Sequence, residues 1–432
     1  MPRLPRVLEC RLAALLVAWG LLALVPAIAL ADGVIRDGLG AISLGRGGTN
    51  IAHADNGEIL LDNPAGMVNI EGERLFELSA DLLMTDLHYT QPPDDSAFAL
   101  FRPSGLPQLS ILRKSPDGQW AVGLGAFVPA GFGAEYDLNN PIMGEHRYRS
   151  LGALVKILPG VAYRLSDRLS VGATLGVAAA HLELEGPFFL QTGLLRGAPL
   201  LLDLQATGAA PTWSTGLQYQ FSENTTWGLT YTSETRFRLD GRVSADVFGL
   251  GEGPLHSDFD AEVAITAPRS VGLGVTHYLC PHRRVSADVI WFDWSDAFDT
   301  IGMRLTDPRN PAFAPLTPLQ DQFPLHWRDS VSLRLGYEYF VTACSVLRAG
   351  YVFHPNPIPD GTLTPYIPAT LEHAFSIGYG RRWGVWSIDL AYQFSFGPDQ
   401  HVTTSDFAGG DFDNSKMEAR AHWISLSLLR QF

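Results

Sequence analysis

Beyond its first 31 residues, the 432-residue chain contains no unbroken apolar run of the ~20 residues that a transmembrane helix needs. That excludes a helical span over the remainder. Lysine is scarce, with three in all, and 31 basic residues face 45 acidic ones. A net charge of −14 provides no positive footprint for nucleic acid. Three cysteines, Cys10, Cys280 and Cys344, do not make a disulfide framework or a cysteine-ligated metal centre. The glycines of "GLGAISLGRGG" (38–48) lack both the G-x-G-x-x-G phasing and the Lys-Ser/Thr of a P-loop. There is no G-x-S-x-G elbow and no H-E-x-x-H. The chain is therefore read as a non-enzyme that needs no cofactor and no metal.

The first residues read as a secretory leader. Arg3, Arg6 and Arg11 are followed by the apolar stretch 12–30 and the small-x-small site Ala29-Leu30-Ala31. Cleavage there predicts a mature start at Asp32. An uncleaved anchor is the alternative, and Pro26 and the cleavage site argue against it. Removing 1–31 takes away three Arg and Glu9, leaving a net charge of −16, as well as Cys10. Cys280 and Cys344 then sit in a compartment where a disulfide persists.

What the chain does have is glycine (43 residues), aromatics (11%) and alternation. In "SVSLRLGYEYF" (330–340), Val331, Leu333, Leu335, Tyr337 and Tyr339 share one face, opposite Ser332, Arg334, Gly336 and Glu338. The same period of two runs through 345–354, 371–383 and 385–396. Fourteen such strands fit, at about 73–89, 106–114, 119–130, 151–165, 168–185, 205–222, 225–243, 258–279, 285–296, 327–340, 345–354, 371–383, 385–396 and 419–432. Connectors after even-numbered strands are short ("SPDG", "SEN", "TACS"), and several after odd-numbered strands are long (186–204, 297–326, 397–418). A soluble sandwich also alternates. Short turns at one end and long loops at the other instead predict an all-β, 14-stranded antiparallel transmembrane β-barrel over 73–432. The last strand ends in Phe432, similar to the C-terminal strand that bacterial barrel assembly recognises, and the location read is the bacterial outer membrane. A lumen of fourteen strands is wider than its own side chains fill. Residues 32–72, rich in glycine and turns, are expected to be an N-terminal hatch inside it.

Several blocks give a sharper expectation. Gly45-Arg46-Gly47-Gly48-Thr49, Ala54-Asp55-Asn56 and Asn63-Pro64-Ala65-Gly66-Met67 resemble the hatch of FadL-type outer-membrane transporters of long-chain fatty acids and other hydrophobic molecules. "WFDWS" (291–295), "HWRDSVSLRLGYEY" (326–339), "LRAGYVF" (347–353), "PNPIP" (355–359) and "YIPATLEH" (366–373) are similar to later blocks of that family. The resemblance implies capture by hydrophobic extracellular loops, an apolar pocket in the barrel, and sideways release beside an inward-kinked third strand. It also implies that Asn63, Pro64 and Ala65 lie against that kink and block the gap. Pro129, Gly131 and Gly133 mark the expected lateral opening, because proline removes a ladder hydrogen bond and glycine permits bends.

For capture, the loop 186–204 offers Phe188, Phe189, Leu190, Leu194, Leu195, Leu200, Leu201 and Leu202, with Phe248 and Leu250 in the next long loop. Loop-on-loop sealing of the barrel top is the compatible structural reading. Arg334, Glu338, Arg348, Glu372, Asp389 and Asp288 face inward and read as a charge network in the lumen. Arg328 and Arg334 are the candidate head-group contacts. Cys280 and Cys344 fall in neighbouring periplasmic turns and are a candidate disulfide, if those turns lean together.

The expected activity is passive transport of hydrophobic molecules, either fatty acids or aromatic hydrocarbons. The expected state is a monomer among outer-membrane lipid and lipopolysaccharide, with no nucleic-acid partner. The rivals are a water-filled general porin, a barrel enzyme such as an outer-membrane lipase, and an adhesive surface protein.

Overall fold

In the computed structural model, residues 33–92, 95–140 and 142–432 are described. The expected leader, 1–31, lies outside them. Twenty strand segments form one antiparallel sheet. Six wall strands are each split in two, so the segments make fourteen strands in up-and-down order. The sheet closes on itself: the first strand (Arg74–Gln91) pairs with the last (Ser415–Gln431) from Leu75↔Gln431 to Thr90↔Lys416. Closure leaves neither the first nor the last strand as a free edge.

The barrel is inverted relative to a soluble core. Val331, Tyr337 and Tyr339 point outward and are exposed, while Ser332, Arg334 and Glu338 are buried inside. Leu124, Ile157, Leu175, Phe375, Ile377, Leu390 and Leu426 continue the exposed apolar band around the wall. That is the arrangement a lipid solvent selects.

Several strands run further than alternation suggested. The third covers Trp120–Asn140, the fourth Gly144–Ser166, the fifth Leu169–Phe189 and the sixth Pro199–Ser222. Above the apolar band the outward face of the wall carries charges. Arg149 lies opposite Glu185, Asp240 opposite Glu262, and Glu262 opposite Arg304. The ladder continues there although the hydropathy signal fades.

Residues 33–72 fill the lower lumen. They form a short helix at Gly40–Gly45, another at Ile59–Asp62 and a 3₁₀ turn at Pro64–Asn69. The wall makes room through inward glycines. Gly47, with φ +67°, lies on Gly350 and Tyr351 of the eleventh strand (Ser345–Phe353), and its amide donates to Ser376 Oγ at 3.0 Å. Gly45 lies against Gly378 of the twelfth strand (His373–Trp383). A Cβ at Gly350 would overlap the backbone of Gly47.

Arg46 is fully buried and ties this segment together. It donates to Thr49 O (2.8 Å), Asn50 Oδ1 (2.6 Å) and both oxygens of Asp55 (2.9 Å). Asp55 meets Arg284 (2.5 Å), Arg284 meets Glu338 (2.5 Å), and Arg348 joins Glu338 (3.1 Å) to Asp389 (2.6 Å). Three guanidinium groups thus balance three carboxylates, as a buried network requires. Glu372, expected in this network, lies outside it and accepts from the Asn356 amide. Ligand atoms of His53, Asp55 and Glu338 come within 4.8 Å of one another, but both carboxylates already hold arginines.

Candidate functional site: a lumen cavity behind a gap in the wall

The pathway begins with a defect in the sheet. The second strand has a lower part, Ser104–Lys114. Its residues Leu109–Lys114 pair with Ala121–Ala126 of the third strand. Residues Ser104–Gln108 pair only with the first strand, at Ser79–Leu83. The third strand also bulges, since its register against the fourth shifts between Phe127 and Ala130. Leu100 N–H donates to Glu135 O at 2.8 Å and closes the wall again higher up. Pro129, Gly131 and Gly133 therefore lie along a ladder gap between the second and third strands, where the sequence placed the weak point.

What covers that gap differs from the expectation. Ile35 forms an antiparallel bridge with Ala130. Arg36 N–H donates to Pro129 O (3.0 Å), and Gly131 N–H donates to Val34 O (3.1 Å). Residues 34–36 thus take the hydrogen-bonding edge that the second strand leaves open. Asn63, Pro64 and Ala65 lie elsewhere. Asn63 donates to Leu217 O (3.0 Å), Ser170 Oγ donates to Ala65 O (3.1 Å), and Pro64 packs on Gly172. These partners belong to the fifth and sixth strands. In this structure the Asn-Pro-Ala segment is bonded to the fifth and sixth strands, and not to the kink of the third strand as the resemblance implied. Its neighbour Leu60 reaches the lower third strand, beside Gly123 and Gly125.

The 34–36 strap separates two cavities. The first, about 170 Å³, is walled mainly by apolar groups, including Ile51, Leu61, Phe237, Ile265, Phe292 and Trp294. The second, about 320 Å³, runs past Ser104, Leu106 and Gly131–Glu135 to the wall gap. Val34, Ile35, Arg36 and Ala130 line both.

Polar groups interrupt the apolar wall of the first cavity, among them Arg36, Asp62, Lys156, His181, Asp288 and Arg334. Arg334 lines it but is engaged with Asp37 O and with Ser332 Oγ (3.1 Å). Asp288 accepts the amides of Asn50 (2.7 Å) and Ile51 (3.1 Å). Burial pushes the Asp62 carboxyl above its ordinary range. Lys156, on the inward face of the fourth strand, is buried, lines the cavity, and has no hydrogen-bond or ion-pair partner among the described residues. Sequence reasoning missed it. The signal was a scarce lysine at inward parity between outward Val155 and Ile157. Arg328, the other head-group candidate, is exposed outside the lumen, its amide bonded to Pro357 O at 3.0 Å.

The proposed capture residues are mostly not a free greasy surface. Strands five and six pair up to Phe189↔Pro199, so Phe188, Phe189, Leu200, Leu201 and Leu202 belong to a hairpin. Phe188, Phe189, Leu190, Leu200 and Leu202 are buried. Phe188 stacks on Tyr366 at 4.6 Å and meets Phe323 at 5.9 Å. Leu195, Leu201 and Phe248 are half-buried, whereas Leu194 (95% exposed) and Leu250 (39%) face out. The hairpin's apolar side seals the barrel top, because long loops collapse on one another before they offer apolar area to water. Cys280 and Cys344 are both free thiols rather than a disulfide.

With this geometry in view, the chain can be compared with known proteins. It aligns over 235 residues, at 21% identity, with the long-chain fatty acid transport protein of Escherichia coli O6:H1. That alignment takes in 48% of this chain and spans about half of the relative, 50%. The backbone superposes on a Pseudomonas aeruginosa FadL homologue with a TM-score of 0.77 at 17% identity, covering 93% of this chain and 100% of that one. The P. putida toluene transporter TodX gives a TM-score of 0.77 at 22% identity, covering 92% and 99%. Both solved structures share the fold: a closed barrel with the same course of chain. Residues 22–432 match the family described as outer membrane protein transport protein (OMPP1/FadL/TodX), and the chain belongs to that outer-membrane family.

Proposed function

We propose that this protein is a passive outer-membrane channel for hydrophobic molecules with an acidic head group, of the long-chain fatty acid kind. One observation carries the substrate class: a buried cation, Lys156, with no hydrogen-bond or ion-pair partner among the described residues, in a mainly apolar cavity. A buried ammonium without a counter-ion is costly, and a carboxylate supplies one. A purely hydrocarbon substrate leaves that cost in place. The similarity to a fatty acid transport protein agrees with this reading, and the likeness to a toluene transporter keeps aromatic hydrocarbons as its competitor.

The geometry supports the following pathway. A molecule enters at the barrel top, where Leu194 and Leu250 are exposed. It settles its tail among the apolar walls, each buried methylene contributing ~0.8 kcal/mol, or about fourfold in affinity. Displacement of the 34–36 strap joins the two cavities and opens the way to the gap beside Pro129–Gly133. Residues 32–72 act as the hatch, and Asn63–Ala65 fix it to the wall while the strap moves. A water-filled porin is disfavoured because the lower lumen is packed with buried residues such as Leu44, Ile59, Leu60 and Met67.

Uptake tests this. Cells lacking their own transporter, carrying either this protein or the Lys156→Met variant, are given radiolabelled hexadecanoic acid or toluene. Saturable uptake of the acid by the wild type, reduced in Lys156→Met at equal surface expression, is the expected result. Uptake of toluene alone overturns the substrate class. Uptake of neither from a folded barrel overturns the transport reading.

A further inference from the structure

The strap is held chiefly by one side chain. Arg36 is 7% exposed, and its guanidinium pairs with Asp81 of the first strand. It also donates to Val128 O of the third strand (3.1 Å) and to Gly38 O (3.4 Å), and lies 4.7 Å above the Trp423 ring of the fourteenth. Arg36 therefore ties together three strands at the point where the wall's own ladder is missing. Its Nε is buried without an acceptor.

Asp81 does not depend on Arg36 alone. It also accepts from Gln108 of the second strand, from Ser425 of the fourteenth, and from the Gly40 amide (3.3 Å). If Arg36 leaves, three donors still satisfy this carboxylate. Arg36, by contrast, lines the lumen cavity as well as the cavity leading to the gap. A ligand in the first cavity meets the residue that closes the second.

We propose that Arg36 is the latch of the lateral gate, and that a carboxylate in the lumen cavity opens it by taking the guanidinium from Asp81. This rests on the transport reading above and adds its regulation. The guanidinium has an anionic partner before and after the exchange, while Asp81 loses its cation and keeps the neutral donors of Gln108, Ser425 and Gly40, so the new ion pair must offset that cost. A ligand shifts a conformational equilibrium only by its differential affinity for the two states. The freed guanidinium provides that difference for an acid and not for a neutral molecule of the same length. Arg36 is thus a positioning residue for release, whereas Lys156 acts on binding.

The test separates the two steps. Purified protein in liposomes is loaded with pyrene-labelled hexadecanoic acid or with its methyl ester. Transfer into the bilayer is followed by stopped-flow quenching. The acid is expected to leave the wild type roughly tenfold faster than the ester, within the usual span of coupling between sites. Arg36→Gln is expected to release both at one rate. Asp81→Asn, which keeps a hydrogen-bonding side chain but loosens the latch, is expected to bring the ester up toward the acid. Equal rates for acid and ester in the wild type overturn the latch whatever the variants do. So does an unchanged acid-to-ester ratio in Arg36→Gln with binding intact. Failure of the folded wild type to bind either probe overturns the transport reading, and the latch with it.

Discussion

Replacing Asn63 by alanine is expected to loosen the hatch without disturbing the barrel. Asn63 is fully buried and its side chain makes three hydrogen bonds. Its amide donates to Ile51 O (2.8 Å) and Leu217 O (3.0 Å), and its carbonyl accepts from Ala65 N (3.2 Å). The last bond caps the Pro64–Asn69 turn, where Pro64 has no amide to satisfy. Losing the cap costs ~1 kcal/mol. The other two bonds contribute ~1 kcal/mol each rather than a full orphaning penalty. Ile51 O keeps Gln218 Nε2 at 3.1 Å, and Leu217 remains paired with Val171 and Leu229. The total is about 3 kcal/mol, or roughly a hundredfold in the local opening constant. Native-state hydrogen exchange of residues 51–69 in detergent reads that constant, with wall amides as the internal reference. Asn63→Asp sharpens the test. It keeps the cap acceptor but turns a carboxylate toward two carbonyl oxygens, so it is expected to be at least as damaging as alanine. An aspartate variant that exchanges like the wild type, or an alanine variant within threefold of it, would refute the assignment of Asn63 as the hatch's anchor.

Two further outcomes are expected. Gly350→Ala places a methyl on the Gly47 backbone and is expected to cost ~1–3 kcal/mol by overpacking. This would lower the temperature at which the folded form is lost on semi-native gels, while Gly105→Ala, in open space, changes nothing. His53 donates or accepts at Thr276 Oγ1 (2.9 Å) and is held down to about 4 by burial, with Arg46 and Arg284 adding to the effect. The unfolded segment takes its proton first, near pH 6.5, so hatch stability is fully present above that value and falls by on the order of 3 kcal/mol as pH drops toward 4. Glu58, raised by burial and by Glu77, slopes the other way. The readout is therefore the difference between wild type and His53→Gln in protease sensitivity across pH 7 to 4, and a pH-independent difference would overturn the assignment.

The barrel was legible because lipid outside and polar groups inside impose a strict period of two, and each strand repeats it. Pro129, which cannot donate, and Gly131 and Gly133, which pack little, mark the stretch of the third strand beside the missing ladder. The upper strand extents were not legible, because above the lipid band the contrast reverses, with Leu202, Leu204, Val243 and Val263 facing in and charges facing out. The capture hairpin looked exposed for a related reason: sequence shows that Phe188 and Leu200 are apolar, but not that Tyr366 and Phe323 lie over them.

Taken alone, the amino-acid sequence determined the strand number and the inverted barrel, because both follow from local alternation. Only the tertiary structure decided which part of the plug covers the gap. The bridge Ile35↔Ala130 and the pairing of Arg36 with Asp81 join residues far apart in the chain. "VIRDG" carries no local mark of that role. The same holds for Lys156, since only the folded lumen leaves this inward lysine without a hydrogen-bond or ion-pair partner among the described residues. Hydrogen-bonding edges and missing partners are properties of what lies alongside, and the closed sheet alone sets what lies alongside.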